Sequence, residues 1–171
     1  NLVQKEDYQE ITDSAWQDAV RDALDGETGL CRTEQSGVAK KRKDNVNRIW
    51  NMRQWTTSVY SSAYDTEYQN FRNNVFQVEQ PFRNGLMQSA SANPLFQKFM
   101  GVKYVIGRSE DGENFTTEVQ ETAAPVIYGT NRVIAEKTYQ AMKFPYNQTM
   151  LMQYAVTGNE KITDAGVEKT K

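Results

Sequence analysis

The fold is decided by residues 95–131, which read LFQKFMGVKYVIG (95–107), then, after Arg108, SEDGEN (109–114) and FTTEVQETAAPVIYGTN (115–131). An apolar helix face stops at Gly101, and a short strand follows at once. Residues 102–106 and 116–119 are predicted to form a hairpin around Asp111-Gly112. The mostly apolar run 125–129 predicts a further, central strand. This order predicts an α/β (α+β) fold with a small mixed sheet, a central hairpin and several short flanking helices.

Other elements are predicted from apolar spacing and local end signals. The predicted helices cover residues 7–25, 65–76, 93–100, 136–142 and 146–156, and a short strand covers residues 29–35. Gly26 follows the first helix as a C-terminal stop. Asp65 and Asn93 are predicted N-caps of the second and third helices, and Pro94 suits a first helical position because its missing N–H is not needed there. Pro145 separates the last two helices.

Length and composition predict one folded domain with short extensions. The chain has 171 residues, 38% of them hydrophobic, and its 9 Tyr, 7 Phe and 3 Trp are too many for a disordered chain. No apolar run approaches the ~18 residues of a membrane-spanning helix. We expect a leading helix over residues 1–28, the domain proper over 29–157 and a polar tail over 158–171. The start at Asn1, without an initiating Met, is expected of a piece of a longer protein.

The absence of histidine from the sequence removes several classes of chemistry. Ser-His-Asp catalysis, histidine-based zinc sites and histidine pH switches all require an imidazole. The single cysteine, Cys31, excludes an intrachain disulfide, and without a histidine to activate it we expect a small apolar residue rather than a catalytic thiol. The sequence predicts no catalytic residue, no metal site and no cofactor.

Charge is distributed unevenly along the chain. Residues 1–37 carry 3 basic and 9 acidic side chains, residues 38–108 carry 11 and 4, and residues 109–171 carry 6 and 9. The basic middle third favours an anionic partner. Nucleic acid is not the predicted partner, because the overall pI of about 5.3 is acidic and no recognised binding motif occurs.

A candidate binding site follows from a basic run placed before two tryptophans. Lys40, Lys41 and Arg42 would contact an anionic polymer, and Trp50 and Trp55 would stack on its sugar rings. A teichoic-acid-like polymer fits this combination. The more common interpretation of such a pattern is a solvated loop beside core tryptophans.

Two further polar segments have a functional and an ordinary interpretation. Ser61 and Ser62 precede a predicted helix start, where hydroxyl and N–H groups bind a phosphate or a sugar oxygen, although ordinary helix capping is the commoner role. The segment 109–114 has the look of a degenerate calcium loop. It lacks the spacing and the later glutamate of an EF-hand, so a hairpin turn is the prediction.

Several sequence blocks, taken in order, resemble the extracytoplasmic region of the YfhO-type bacterial membrane proteins. The clearest are PLFQKFMGVKYVIG (94–107) and ETAAPVIYGTN (121–131), accompanied by LCRTEQ (30–35), VYSSAYDTEYQNF (59–71) and FPYNQTMLMQYAVTG (144–158). Cys31 departs from the pattern, since the family has an aromatic residue there. The resemblance covers residues 29–157 approximately.

The resemblance implies a domain on the outer face of the cell membrane of a Gram-positive bacterium. YfhO-type proteins are multi-pass proteins related to glycosyltransferases that use lipid-linked sugars, and some are implicated in adding sugars to lipoteichoic acid. Their catalytic acidic residue lies in an early loop that has no counterpart here, so no catalytic role carries over. The implied role is to bind or position the acceptor, with the remainder of the parent protein and an anionic glycan as partners.

Two alternatives belong to other functional classes. One is a structural domain that packs against other segments of the same membrane protein and binds no glycan; an exposed apolar patch would favour it. The other is a stand-alone secreted hydrolase that uses paired carboxylates, for which turnover of glycan or phosphoester substrates would be the evidence.

Overall fold

The computed structural model describes residues 4–6, 9, 14–35, 55–57, 65–77 and 93–158. Within these residues the protein has five short α-helices, a three-stranded mixed sheet that contains an antiparallel hairpin, and a separate two-stranded sheet. The predicted α/β class is therefore confirmed. The division into leading helix, domain and tail stays a prediction.

The elements follow the predicted order along most of the chain. The helices are α1 (Ser14–Ala23), α2 (Thr66–Asn70), α3 (Pro94–Phe99), α4 (Glu136–Gln140) and α5 (Tyr146–Leu151). The strands are β1 (Arg32–Gln35), β2 (Val102–Arg108), β3 (Phe115–Val119), β4 (Val133–Ala135) and β5 (Ala155–Thr157). Helix α2 continues directly into one π-helical turn, Phe71–Val75.

Strand β2 lies at the centre of the three-stranded sheet. Strand β1 pairs with it in parallel and β3 pairs antiparallel, so the order is β1-β2-β3. The predicted hairpin is confirmed: Asp111 accepts a hydrogen bond from the Glu113 amide (2.9 Å) and Gly112 adopts a positive φ of 72°. The predicted turn at 109–114 is thus organised by its own side chains.

The predicted caps of α2 and α3 are also confirmed. Asp65 accepts from the Tyr68 amide at 2.8 Å, and Asn93 accepts from the Leu95 and Phe96 amides at 2.9 and 3.2 Å. These bonds satisfy amides that have no partner within the helix. Each signal is local, which explains why the sequence alone was sufficient to predict it.

Gly101 lies in the two-residue turn between the end of α3 at Phe99 and the start of β2 at Val102. Its φ is +67°, and a Cβ added there would lie 2.7 Å from the Ala124 carbonyl oxygen and 3.0 Å from Val126 Cγ2. The Ala124 amide in turn donates to the Lys98 carbonyl at 2.9 Å. The chain after β3 therefore packs directly on this turn, which requires a residue without a side chain.

The larger apolar cluster joins α2, α3 and α5 through Phe76, Phe96 and Leu151, all buried. Phe76 and Phe96 meet edge to face with ring centroids 5.4 Å apart, and Phe71 contacts both rings. Edge-to-face pairs add to the free energy of area burial. The predicted apolar faces of 65–76 and 93–100 are the two faces that meet here.

A smaller cluster attaches α1 to the sheet. Val20 and Ile106 are fully buried, and Leu24 and Phe115 pack against them. The predicted helix over 7–25 is confirmed from Ser14 to Ala23, and the predicted stop at Gly26 adopts a positive φ of 76°.

The predicted central strand over 125–129 is wrong. Strand β2 already has a partner on both edges, so no central position is left for it. Val126 packs against the Gly101 turn, while Ile127 and Tyr128 are 79% and 53% exposed. An apolar run of this length does not by itself distinguish a buried strand from a surface connection.

The second sheet replaces the end of the predicted helix 146–156. Helix α5 ends at Leu151, and β5 then pairs in parallel with β4. The Ala155 amide donates to the Arg132 carbonyl at 3.0 Å, which begins this pairing. A strand partner distant in sequence thus outweighs the helical pattern of residues 152–156.

We expect Gly101→Ala to lower the free energy of unfolding by about 3 kcal/mol, because a positive φ costs ~1–2 kcal/mol and the new Cβ meets a backbone carbonyl. Gly112→Ala is the matched control: its φ is also positive, but nothing lies within 4 Å of the added Cβ, so about 1 kcal/mol is expected. Urea denaturation followed by circular dichroism measures both. Equal losses for the two variants would contradict the close packing at Gly101.

Candidate functional site: a buried carboxylate beneath an exposed tryptophan

Strand β1 is polar but buried. Thr33, Glu34 and Gln35 are at most 1% exposed. On the side opposite β2, the short segment 55–57 runs beside β1 in parallel: Trp55 forms a bridge with Arg32, and the Thr33 amide donates to the Trp55 carbonyl at 2.8 Å. The strand is therefore covered on both edges, and its side chains need polar partners inside the protein.

The Glu34 carboxylate binds the neighbouring segment through three donors. It accepts from the Thr56 hydroxyl at 3.0 Å, and from both the amide and the hydroxyl of Thr57. Removing a carboxylate from water costs several kcal/mol, and hydrogen bonds to the charged group offset that cost only when the donors are well placed. The pairing between Glu34 and Thr57 is thus a strong constraint on the local backbone.

Two residues of the helical segment 66–75 bind Thr57 through its carbonyl group. Tyr68 and Arg72 both donate to the Thr57 carbonyl, each at 2.7 Å. Burial raises the pKa of the Tyr68 phenol, although the nearby Arg72 charge opposes the shift, so the hydroxyl keeps its proton for donation. The amide, hydroxyl and carbonyl groups of Thr57 all make hydrogen bonds, and these bonds fix the position of residue 57.

Arg72 connects this polar cluster to the aromatic core. It is 2% exposed, and its guanidinium carbon lies 5.2 Å from the Phe96 ring centroid and 5.9 Å from that of Tyr68. It belongs to the π-helical turn, where the Phe76 amide donates to the Phe71 carbonyl. Single π turns occur often at functional positions in helices.

Trp55 is the predicted binding residue that the structure describes. It is 64% exposed although its backbone is paired with β1, and the Thr57 that follows it two residues later is held by Glu34. An exposed indole on a fixed backbone loses little conformational entropy when it stacks on a ligand. The other predicted binding residues fall in parts of the chain that the structure does not describe: Lys40, Lys41, Arg42, Trp50, Ser61 and Ser62.

Sequence reasoning missed Glu34, Thr57, Tyr68 and Arg72 as a group. A strand reading Arg-Thr-Glu-Gln has the composition of a solvent-exposed strand, and nothing in it signals burial. Glu34 and Thr57 are 23 residues apart, so the contact depends on tertiary packing.

A second polar cluster lies near the start of β2. The Glu27 carboxylate accepts from the Lys103 ammonium, from the Gly29 amide at 2.7 Å and from the Tyr104 hydroxyl at 2.8 Å. These hydrogen bonds, that of Lys103 first, lower the pKa of Glu27 from 4.5 to about 2. Partial burial, together with the Glu27 charge, raises the pKa of the Cys31 thiol, which disfavours a reactive thiolate.

Within the described residues, no helix has the length and apolarity needed to cross a bilayer. The same residues contain no group of three or more histidine, cysteine, aspartate or glutamate side chains placed to hold a metal ion.

The chain matches no protein-family model, and neither the curated proteins nor the solved structures give a significant match to it.

The Glu27 cluster predicts a specific dependence of stability on pH. Because the folded-state pKa of Glu27 lies below its unfolded value, its contribution is present above pH 4.5 and is lost as the pH falls towards about 2. Glu27→Gln should flatten this acid limb when the free energy of unfolding is plotted against pH. Lys103→Met, which removes the largest cause of the shift but keeps the carboxyl group, should flatten it too. Wild-type slopes in both variants would contradict the assignment.

Proposed function

We propose that this chain is an extracytoplasmic domain of a YfhO-type membrane protein. In this proposal it sits at the outer face of the cell membrane and binds or positions an anionic acceptor polymer, such as lipoteichoic acid, for sugar transfer elsewhere in the same protein. The order of the sequence blocks that resemble this family supports the proposal. Holding an acceptor near a reactive centre lowers the entropic barrier without any catalytic group on the domain that holds it.

The observation that carries the binding role is the anchored, exposed Trp55. Aromatic rings bind sugars by stacking on their apolar faces, and a ring on a fixed backbone does so at a low entropic cost. The buried Glu34 carboxylate holds the segment that begins at Trp55 through Thr56 and Thr57. The combination of a rigid support and an exposed indole is more typical of a binding surface than of a core element.

The basic residues before Trp55 supply the expected electrostatic component. Lys40, Lys41 and Arg42 would contact the phosphates of a teichoic-acid-like chain while the tryptophan contacts its sugars. Interactions between exposed charges are screened by salt. Binding that combines charge contacts with stacking on the tryptophan should therefore weaken, but not vanish, as ionic strength rises.

Three groups of the described residues, Glu34, Glu27 and Cys31, favour binding over catalysis. Glu34 is 1% exposed and its oxygens already accept hydrogen bonds, so it is not presented to a substrate. Glu27, with a pKa of about 2, is a weak base at neutral pH. Cys31 has a raised pKa, which keeps its thiol protonated. A hydrolase that works through these groups is therefore disfavoured.

A purely structural domain is the second candidate, and one observation favours it. Several large apolar side chains are exposed, among them Ile127 at 79% and Tyr146 at 72%. Such residues suit contact with other segments of a parent protein. The two candidates differ in their prediction for glycan binding, which only the first requires.

We expect the purified chain to bind lipoteichoic acid and Trp55→Ala to weaken that binding about tenfold, since stacking on an aromatic ring is worth ~1–3 kcal/mol. Titration calorimetry at low and high salt measures both the affinity and its salt dependence. Tyr128→Ala is the matched control, because this ring is also exposed, at 53%, and lies in the connection between β3 and β4.

Unchanged affinity in Trp55→Ala would remove the tryptophan from the proposed site. A wild-type chain that binds no glycan at either salt concentration would favour the structural candidate.

A further inference from the structure

Arg32 is a positively charged residue that the fold places next to Trp55. The two residues form the bridge between β1 and the segment 55–57, so they lie side by side on neighbouring strands. Residues paired in this way project their side chains from the same face of a sheet. Two positions further along both strands, the side chains of Glu34 and Thr57 are hydrogen-bonded to each other, which is the contact that this register requires. A guanidinium and an indole therefore project from the same face.

The guanidinium of Arg32 is held in position by a backbone carbonyl. Its Nη1 donates to the carbonyl oxygen of Met100, at the end of α3. The Arg32 amide donates to the Gly101 carbonyl at 2.9 Å, so the main chain and the side chain are both attached to the turn between α3 and β2. A guanidinium carries five N–H groups, and the bond to Met100 uses one of them. The other groups can bind an oxyanion.

The positive charge of Arg32 has no ion-pair partner among the residues that the structure describes. Ion pairs such as that of Lys103 with Glu27 occur there, but none includes Arg32. The Glu34 carboxylate, on the same face as Arg32, accepts hydrogen bonds from the segment 55–57. Arg32 is also only partly exposed. A half-buried guanidinium without a carboxylate partner is suited to binding a phosphate, because its planar fork matches two phosphate oxygens.

We propose that Arg32 binds a phosphate group of the acceptor glycan while Trp55 stacks on an adjacent sugar ring. This inference rests on the proposed glycan-binding role and adds the specificity of that site, which prefers a phosphorylated glycan to a neutral one. Both side chains are carried by paired backbone positions, so the distance between the guanidinium and the indole is limited by the sheet. The site therefore selects ligands in which a phosphate lies next to a sugar ring.

The test compares two polymers by titration calorimetry: deacylated lipoteichoic acid, which carries phosphate, and dextran, a neutral glucan. Removal of the acyl chains excludes binding through the lipid. The wild type should bind lipoteichoic acid more tightly than dextran. Arg32→Gln should weaken binding of lipoteichoic acid about tenfold, the effect of losing one hydrogen bond to a charged group, and should leave dextran binding unchanged. Trp55→Ala should weaken the binding of both polymers, because both contain sugar rings.

Arg132→Gln is the matched control, because it removes the same charge from an exposed arginine that precedes β4. It should bind both polymers as the wild type does. Circular dichroism verifies that each variant is folded. Should Arg32→Gln fail to fold, Arg32→Lys decides the question: it keeps the charge and a donor for the Met100 carbonyl but loses the planar fork, so it should weaken binding of lipoteichoic acid about threefold and leave dextran binding unchanged.

Three results would overturn this inference alone. The first is an Arg32→Gln variant that binds lipoteichoic acid as the wild type does. The second is an equal loss of affinity for both polymers in that variant, which would assign Arg32 a structural role. The third is an Arg132→Gln variant that loses as much affinity as Arg32→Gln, because net charge would then explain the effect. A wild type that binds neither polymer would instead overturn the proposed glycan-binding role, and this inference with it.

Discussion

The buried carboxylate of Glu34 is the constraint on which the β1 side of this protein depends. Strand β1 places Thr33, Glu34 and Gln35 inside the protein, where an apolar strand would be the ordinary solution. A carboxylate at 1% exposure is stable only with good donors, and Thr56 and Thr57 supply them. The need to satisfy this charge fixes the segment 55–57 against the sheet.

Thr57 also links the sheet to the helical core. Its carbonyl accepts from Tyr68 and Arg72, and Arg72 in turn lies against the Phe96 ring. The α2 region, the segment 55–57 and strand β1 are therefore connected through one backbone unit, Thr57. The buried hydrogen bonds of Thr57 therefore fix the backbone two residues after the exposed Trp55.

The sequence predicted those elements whose signals are short in range. The Asp65 and Asn93 caps act over two or three residues, and the hairpin turn closes on its own Asp111 and Gly112. The errors arose where distant strands decided the outcome. Residues 125–129 cannot pair with β2, because both edges of that strand are already paired. Residues 155–157 pair with β4 instead of extending α5. The site was missed for the same reason, since Glu34 meets Thr57 only in the folded chain.

The exposed aromatic residues differ in how far the sequence indicated them. The sequence indicated Trp55 because it is an aromatic residue that follows a basic run. The structure adds the contacts with β1 and Glu34 that fix its backbone. The exposure of Phe144 and Tyr146 had no signal in the sequence, because a Phe-Pro-Tyr run is equally typical of a core segment. It became apparent only from the fold.

The most direct test of the central claim is amide hydrogen exchange at Thr57. If the Glu34 carboxylate holds this amide, Thr57 exchanges slowly in the wild type, and Glu34→Ala accelerates its exchange by a large factor while amides within strand β2 remain protected. Rapid exchange at Thr57 in the wild type, or unchanged exchange in the variant, would contradict the account.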